Sequence, residues 1–423
     1  MPKKIFPVVL SFALICLAIF CPAAFAEEKS DLAAARREYI CALVSLASYN
    51  DELDLFVRDT LKSHGFTFSA WQNASEGKNS KIYLVTDDVG NNILAVTGTE
   101  DLKDVKSDLR MGRVPFGADK GTVHQGFYEH MCMYFLRKRH AELKDMSLGD
   151  FLAQKLTNNP KEKICITGHS LGGATAVLAA AYMVDCGVKP EQLQTITFGA
   201  PAVGDDAFAL CYGDKINLTR FVMDGDPIHG LLQSVKYGYK QFGEKVPRKC
   251  TAFTELLPHS MPCYLDAAMK NYYDLREDTP ADAGGGAGGV YVAPFGFELY
   301  PKMEADKKYM AKALADVLSH SLPSAKFAPF DYAAKGKDES AASFSKLLAD
   351  AKKAKAKYLL TENFYGEILR NEKEVCRMTL EETIYDTTGS LVSLQTYSTL
   401  TDKMTPLEAA IYLQEKCREN QAK

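Results

Sequence analysis

Residues 164–182 read ICITGHSLGGATAVLAAAY: a β-branched run, a serine between two glycines, and an alanine-rich apolar run. Ile164 to Ile166 predict a buried strand, and Leu171 begins a predicted helix. Gly168 and Gly172 flank Ser170, where a Cβ atom would strike a neighbouring strand or helix. This order predicts a strained strand-to-helix corner that presents the Ser170 hydroxyl. The alternative is a serine that caps the helix beside glycines that only permit close packing.

The segments around this corner predict the α/β class. Residues 81–88 and 91–98 are short β-branched runs separated by a hairpin signal at Gly90 and Asn91. Further strands are predicted at 193–201 and 217–226, with helical patterns at 31–63, 127–156 and 171–185. Strands that alternate with helices are typical of a largely parallel sheet with helices on its faces.

The composition changes abruptly at residues 277–289, EDTPADAGGGAGG, where no apolar periodicity survives. We interpret this segment as a Gly-rich linker between two units. The first unit spans residues 27–276, and the second, 290–423, is a smaller α/β (α+β) domain of strand, helix and β-rich runs. The second unit holds no candidate nucleophile constellation, so we interpret it as a binding or assembly module.

Residues 1–26 have the pattern of a cleaved signal peptide. Lys3 and Lys4 precede an apolar stretch that closes on Ala24, Phe25 and Ala26, a small-x-small cleavage pattern. We therefore expect a secreted or periplasmic protein, with an uncleaved membrane anchor as the alternative. Cleavage would leave nine cysteines, and a disulfide between Cys250 and Cys263 is one pairing that an oxidising compartment would allow.

The bulk properties exclude some classes of function. The 423 residues carry a formal net charge of −4, and the pI is about 6.1, so no basic field favours nucleic acid. The chain has no Cys-x-x-Cys pair and no His-x-x-x-His pair, so no zinc or redox motif is indicated. We expect neither a metal nor an organic cofactor.

Ser170 as a nucleophile would need an acid after a later strand and then a histidine. Asp224 and Asp226 both follow the strand predicted at 217–226, and each is also a typical turn residue. Three histidines follow Ser170 at positions 229, 259 and 320. His229 would share the loop of the acid and His320 lies beyond the linker, so His259 is the favoured base.

These groups define a double-displacement mechanism. His259 takes the Ser170 proton during attack and later returns it to the leaving group, while the aspartate fixes the imidazole tautomer. The backbone N–H of Leu171, at a helix N-terminus, is one candidate oxyanion donor. Thr99, in VTGTED at 96–101, is the second, although this segment is also compatible with a plain turn.

Several ordered blocks between about residues 80 and 270 resemble the class 3 lipase family, the fungal-type lipases with an α/β-hydrolase fold. The blocks are AVTGTED, DVKSDLR with Asp108, VHQGFY, ITGHSLGGATA, TFGAPAVGD, RFVMDGDPI and HSMPCYL. The resemblance implies Ser170 as nucleophile, Asp226 as acid and His259 as base, with Thr99 and Leu171 in the oxyanion hole. It also implies structural roles for His124 and Gly126, and a packing role for His169.

The resemblance implies an enzyme that hydrolyses acyl ester bonds of lipids. Two alternatives remain at this stage: a binding protein on an inactive hydrolase scaffold, and a hydrolase of another ester class such as a phospholipase, thioesterase or phenolic esterase. Residues 100–110, EDLKDVKSDLR, fall where these lipases have a lid. As a helix this segment would show only a thin apolar stripe, so we expect weak activation at lipid interfaces.

The order of predicted strands and helices in the second unit is similar to that in the small α/β domains of envelope lipoproteins. That likeness implies an envelope or protein partner.

Overall fold

The computed structural model describes most of the chain: residues 22–47, 54–72, 81–87, 92–96, 98, 112–137, 146–230, 238–250, 258–276, 289–300, 307–329, 337–370 and 374–421. Several expectations from the sequence lie wholly or partly outside these ranges, among them residues 1–21 of the leader, the hairpin signal at Gly90 and Asn91, Thr99, the segment 100–110 and residues 277–288 of the linker. Within the described ranges, no helix is both long and apolar enough to cross a membrane.

A seven-stranded sheet forms the centre of the first unit, in the order β1-β2-β3-β6-β7-β8-β9. The strands β3 and β6 to β9 are parallel, whereas β1, β2 and β3 form an antiparallel meander at one edge. This arrangement confirms the largely parallel sheet predicted from the sequence. The strands are Phe66–Gln72 (β1), Lys81–Asp87 (β2), Asn92–Val96 (β3), Ile164–His169 (β6), Leu193–Phe198 (β7), Asn217–Met223 (β8) and Glu244–Arg248 (β9). Arg113–Pro115 (β4) and Thr122–His124 (β5) form a separate two-stranded ribbon.

Helices cover both faces of this sheet, because alternate residues of each strand point in opposite directions. Ile164 and Ile166 join one buried apolar cluster, and Cys165 joins the other. The helices of the first unit are Pro22–Ala47 (α1), Asp54–Ser63 (α2), Gln125–Met131 (α3), Leu148–Asn158 (α4), Leu171–Asp185 (α5), Asp206–Tyr212 (α6) and Met261–Leu275 (α7). Helices α1 and α7 contribute to the cluster that contains Cys165, and α5 contributes to the other.

The helical pattern predicted at 127–156 is divided in the structure. Helix α3 passes into a π-helical turn over Cys132–Leu136, and α4 starts again after Ser147. The Ser147 hydroxyl accepts the backbone N–H of Asp150 at 3.0 Å. This N-cap gives α4 its own start, a signal that apolar periodicity alone does not reveal.

The second unit contains a six-stranded sheet in the order β12-β10-β13-β14-β15, with β11 also paired to β13. Its long strands β13, β14 and β15 are antiparallel, and β10 is parallel to β12 and β13. The elements are Val290–Val292 (β10), Gly296–Leu299 (β11), Lys307–Ser321 (α8), Lys326–Phe327 (β12), Lys337–Lys353 (α9), Tyr358–Arg370 (β13), Glu374–Asp386 (β14), Leu391–Thr401 (β15) and Pro406–Gln421 (α10).

Helix α7 packs directly against the second unit. One apolar cluster runs from α1 and α7 into α8, β13, β14 and α10. Polar contacts follow the same boundary: the buried Tyr309 hydroxyl donates to Asp266, and Lys312 Nζ donates to the carbonyls of Tyr273 and Arg276, each at 2.9 Å. A cation that binds the last carbonyls of a helix stabilises its C-terminus.

Nine cysteines are described, and all of them are free thiols in the structure. The thiols of Cys250 and Cys263 are hydrogen-bonded to each other, and this contact, together with burial, raises the pKa of Cys263. The pair named from the sequence is therefore adjacent, and its oxidation remains a prediction.

Candidate active site

Ser170 occupies the junction between β6 and α5 in a strained conformation, with φ 54° and ψ −123°. Its backbone N–H donates to the Phe198 carbonyl at 3.0 Å, and its carbonyl accepts the first helical bond, from Ala174. A Cβ on Gly168 would lie 2.5 Å from the Gly172 carbonyl carbon, and one on Gly173 would lie 2.8 Å from Ala200. The glycines therefore allow the helix to start against the strand, and the structure holds the serine in a left-handed conformation.

His259 joins Ser170 to Asp226. The imidazole Nε2 lies 2.8 Å from Ser170 Oγ, and Nδ1 lies 3.0 and 2.9 Å from the two carboxylate oxygens of Asp226. Three separated segments converge here: the β6–α5 corner, the turn after β8 and the residues before α7. All three side chains are buried, with Ser170 1%, Asp226 3% and His259 5% exposed. Their mutual distances meet the geometric requirement for nucleophile, base and orienting acid.

The structure distinguishes the candidates that the sequence left open. Asp224 is exposed to solvent, whereas the Asp226 carboxylate faces His259. His229 Nδ1 contacts the backbone carbonyl of Asp226 at 2.8 Å, and His320 is exposed on α8. Only His259 among these three histidines lies between the serine hydroxyl and the acid.

Asp226 is held by more donors than His259 alone. Its Oδ1 accepts the Ile228 N–H at 2.8 Å, and its Oδ2 accepts the Tyr264 hydroxyl at 2.6 Å. Burial raises the pKa of Asp226, but the hydrogen bond and charge of His259, followed by the Tyr264 and Ile228 donors, lower it overall. The carboxylate therefore stays ionised at neutral pH and can stabilise a positive imidazole.

Tyr264 is a site residue that sequence reasoning missed. Its hydroxyl also accepts the Met223 N–H at 3.0 Å, so it connects the end of β8 to the acid. Burial and the Asp226 charge raise the pKa of Tyr264 well above its usual value, so the group remains a proton donor. Its place in HSMPCYL, five residues after His259, was visible, but a tyrosine in an apolar helix gives no separate signal.

Gly199 forms the wall behind the three side chains, at φ +59°. A Cβ at this position would lie 2.7 Å from Asp226 Oδ2, 2.9 Å from the Tyr264 hydroxyl and 3.1 Å from His259 Nδ1. Any larger residue would displace the acid or the base. The glycine of TFGAP therefore has a steric role at the site.

His169 packs against the candidate base, as the sequence led us to expect. Its Nε2–H donates to the His259 carbonyl at 2.6 Å, and the two rings lie 4.7 Å apart. Burial, followed by the nearby His259 charge, lowers the pKa of His169 to about 3. The neutral ring thus fixes the backbone of His259 and does not contact the Ser170 hydroxyl in any described hydrogen bond.

Leu171 is the first residue of α5. The N–H groups in the first turn of a helix have no acceptor within the helix, and they carry its positive dipole end. The backbone N–H of Leu171 is therefore placed to receive an oxygen anion formed beside Ser170. Thr99 lies outside the described residues, and β3, the strand that precedes it, ends with Val96 opposite Gly168.

His124 and Gly126, for which the resemblance implied structural roles, make local packing contacts. His124 is fully buried and stacks on Phe127, with 4.2 Å between ring centroids. The backbone N–H of His124 donates to the Val203 carbonyl. Gly126 lies in α3, which follows directly. Among the described residues, no group of three or more His, Cys, Asp or Glu side chains is arranged to hold a metal ion.

Part of the chain that forms this geometry matches a known protein family. The model of the family Lipase (class 3) matches residues 93–234. Residues 93–234 belong to the class 3 lipase family. The class 3 lipase region contains Ser170, Leu171 and Asp226, whereas His259 and Tyr264 follow it in the chain.

Curated relatives match part of this chain. A "Secreted mono- and diacylglycerol lipase 1" of Fusarium solani is 29% identical over 160 residues, which cover 37% of this chain and 44% of the relative. A "Lipase" of Rhizomucor miehei is 34% identical over 115 residues, or 26% of this chain and 29% of the relative. The chain thus spans less than half of the length of these relatives.

A lipase from Rhizopus microsporus var. chinensis is among the similar solved structures. It is 22% identical with a TM-score of 0.42, and the match covers 51% of this chain and 74% of that one.

Proposed function

We propose that this protein is an exported serine hydrolase that cleaves the acyl ester bonds of lipids through an acyl-enzyme intermediate. The observation that carries the proposal is the continuous contact from Ser170 Oγ through His259 to the Asp226 carboxylate, with distances of 2.8 and 2.9 Å. The class 3 lipase model that matches residues 93–234, and the lipases to which the chain is similar, support the choice of an ester substrate.

The geometry supports a two-step mechanism. Ser170 Oγ attacks the ester carbonyl carbon while His259 Nε2 takes the hydroxyl proton, and the positive imidazole is stabilised by Asp226. The carbonyl oxygen becomes negative and is stabilised by the N–H of Leu171, with Thr99 as the proposed second donor. His259 then returns the proton to the leaving alcohol, and a water molecule repeats the sequence on the acyl-enzyme.

A pre-steady-state assay with a short-chain p-nitrophenyl ester tests this mechanism. We expect a burst of p-nitrophenol that matches the enzyme concentration, and no burst from the Ser170→Ala variant. Equal rates for both proteins would contradict the proposal. A folded wild-type chain with no turnover of any ester would instead favour the second candidate, a binding protein on an inactive hydrolase scaffold.

The class of ester is the finer part of the proposal. We expect mono- and diacylglycerols or other lipid esters, with phospholipids, thioesters and phenolic esters as the competing classes. A panel of these substrates with the purified mature chain, and Ser170→Ala as the control, would rank them by kcat/KM. A rate for lipid esters below that for every other class would contradict the lipid assignment.

The thin apolar stripe of residues 100–110 supports weak interfacial activation. We expect the rate to rise smoothly as a soluble ester passes its critical micelle concentration. An abrupt rise at that concentration would contradict this expectation.

Export is supported by the leader pattern at residues 1–26 and by the word "Secreted" in the name of the Fusarium solani relative. We propose cleavage after Ala26, so the exported protein should begin at Glu27. N-terminal sequencing of protein recovered outside the cytoplasm tests this. A protein that retains the apolar stretch and stays with the membrane fraction would contradict cleavage.

For residues 290–423 we propose a binding or assembly role. The outer face of β15 supports it, because Leu394 and Leu400 are 56% and 59% exposed and the edge strand Leu391–Thr401 contains no charged residue. Edge strands that lack charges readily pair with other chains. A pull-down from envelope extracts with wild type and a Leu394→Lys variant tests the role, and equal recovery of partners by both would argue against this surface.

A further inference from the structure

Two cysteines from distant parts of the sequence meet beneath the candidate active site. Cys41 lies on α1 and Cys165 lies on β6, and their sulfur atoms are 3.6 Å apart. Cys41 is fully buried, and Cys165 is 6% exposed. A disulfide bond needs about 2.05 Å between sulfurs, so the two sulfur atoms must move about 1.5 Å closer to form one.

The surrounding contacts hold α1 and β6 in register at this point. Ser45 and Thr167 form the next polar contact along the same two elements, with their hydroxyl oxygens 3.4 Å apart. Ser45 lies one helical turn after Cys41, and Thr167 lies two residues after Cys165, on the same face of the strand. Two aligned contacts show that the helix runs along the strand, so the sulfur pair does not depend on one side-chain rotamer.

A cavity of about 360 Å³ reaches Cys165 from the surface. Its lining includes the cations Arg36, Arg37 and Lys163 together with the carboxylates Asp87 and Glu191. The two arginines are oriented by neighbours: Arg36 donates to the His64 carbonyl at 2.6 Å, and Arg37 donates to Gln194 Oε1 at 2.7 Å. The three cations outnumber the two carboxylates, so the cavity favours a small molecule with carboxylate groups beside Cys165.

We propose that Cys41 and Cys165 are a site of disulfide formation that reacts with small carboxylate-bearing disulfides, of which oxidised glutathione is the probe. The Cys165 thiolate attacks one sulfur of the reagent, a mixed disulfide forms, and the first glutathione leaves as a thiolate. Cys41 then loses its proton and attacks the Cys165 sulfur, and the second glutathione leaves. Two protein thiols are oxidised and one glutathione disulfide is reduced to two thiols, which take up the two protons.

The positions of the two thiols set the order of these steps. Burial, and then the Cys165 contact, raise the pKa of Cys41 well above the usual range, so Cys41 is a poor first nucleophile. Cys165 lines the cavity and meets the reagent first. The resulting bond would join α1 to the strand that carries Ser170 and would close a loop between positions 124 apart in the sequence. A cross-link of this span stabilises a fold by restricting the unfolded chain.

The test uses the full mature chain, purified under reducing conditions and then incubated in its native state with oxidised glutathione. Trypsin does not cleave before Pro190, so Cys165, Cys186 and Cys211 fall in one tryptic peptide, and the double variant Cys186→Ser/Cys211→Ser is the background for mapping the cross-link. Cys186 is exposed, and its replacement should leave the pair unchanged. We expect a disulfide-linked peptide pair containing Cys41 and Cys165, a higher thermal midpoint, and reversal of both by dithiothreitol.

Single variants separate this bond from other thiol reactions. In the Cys186→Ser/Cys211→Ser background, Cys41→Ser should trap a glutathione adduct on Cys165, and Cys165→Ser should leave Cys41 unmodified. Neither variant should gain thermal stability on oxidation. A bond between Cys250 and Cys263 would lie within a single tryptic peptide and would therefore be distinguished. Free Cys41 and Cys165 thiols in a native chain whose exposed Cys186 has reacted would overturn the proposal.

The cavity's contribution is tested with a charge variant and a neutral reagent. Arg37→Gln should slow the reaction with oxidised glutathione several-fold, whereas the rate with uncharged 2-hydroxyethyl disulfide should not change. The same slowing with both reagents would overturn the role of the cations. The readout is thiol chemistry, so it is independent of whether the chain hydrolyses esters.

Discussion

The His169 side chain donates a hydrogen bond from Nε2 to the backbone carbonyl of His259, 2.6 Å away. His169, the residue before the candidate nucleophile, therefore helps to position the candidate base, which lies 90 positions later in the sequence. Because this hydrogen bond is made to the backbone of His259, it fixes the position of that backbone. Both ring nitrogens remain available to contact Ser170 and Asp226.

Replacing His169 with phenylalanine should lower kcat on the order of tenfold, because the carbonyl loses its donor and the base is less well positioned. The KM should change little, since His169 is buried away from solvent. His169→Gln retains a donor and should recover part of the rate. Steady-state kinetics of both variants test the role, and equal rates for Phe and Gln would show that the hydrogen bond is unimportant.

The free energy of unfolding should decrease at acidic pH, because the buried His169 side chain is neutral in the folded chain. Its pKa is about 3 in the folded chain, whereas an unfolded histidine has about 6.5, so below pH 6.5 the unfolded chain binds the proton first. The free energy of unfolding should therefore fall by up to about 1.4 kcal/mol per pH unit from this group. Urea unfolding between pH 7 and pH 4 measures the slope.

His169→Gln should flatten this slope but not abolish it. His64, whose pKa burial lowers to about 4, titrates in the same direction. An unchanged slope in the glutamine variant would contradict the assignment to His169.

The candidate base can be tested against its neighbour. His259→Ala should reduce kcat by about 10⁴-fold or more, because His259 is the base that contacts the Ser170 hydroxyl within the described part of the chain. His229→Ala should retain most of the activity, since His229 contacts the Asp226 backbone carbonyl at 2.8 Å. The two variants are measured with the same ester, and a larger loss for His229→Ala would require the base to be reassigned.

Asp226→Asn should also lower kcat by about 10⁴-fold, because the amide favours the wrong imidazole tautomer. The variant should still fold. Asp224→Asn is the matched control, since Asp224 is exposed. Circular dichroism would establish that both variants fold. Equal activity of the two asparagine variants would exclude Asp226 as the acid.

Tyr264→Phe removes a hydroxyl that donates to Asp226 and accepts from Met223. We expect a loss of about 1–3 kcal/mol in the free energy of unfolding, because the buried Met223 N–H loses its acceptor. The acid limb of the pH–rate profile should shift upward, since one of the donors that lower the pKa of Asp226 is gone. Denaturant unfolding and the pH profile of kcat/KM measure the two effects. Tyr272→Phe is the control on the same helix, and an equal change in both variants would argue against a specific role for Tyr264.

Lys312, on helix α8 of the second unit, donates hydrogen bonds to two backbone carbonyls at the C-terminal end of α7. Lys312→Met should lower the free energy of unfolding by about 1–3 kcal/mol, because two carbonyls lose a charged donor. The exposed Lys326→Met on β12 should have a much smaller effect. Thermal unfolding of both variants tests this. An equal small change in both would show that the Lys312 contacts do not support α7.

The sequence determined the strand, corner and helix around Ser170, because these depend on local periodicity and on glycines at fixed offsets. It also limited the acid to two neighbours and the base to three histidines. Position along the chain favoured His259, and the family resemblance implied Asp226, but residue type alone could not choose, since each candidate has an ordinary structural role in a turn or on a helix. The helix Lys337–Lys353 was not predicted from the sequence.

Only the tertiary structure decided which side chains meet. The contacts of Tyr264 with Asp226, of His169 with His259, and of Cys41 with Cys165 join residues 38, 90 and 124 positions apart. No local pattern encodes such distances, because they result from the order of strands in the sheet and from the packing of α1 and α7 on one of its faces. The local sequence therefore determines the strand-to-helix corner at Ser170, and the packing of distant elements brings the other groups to it.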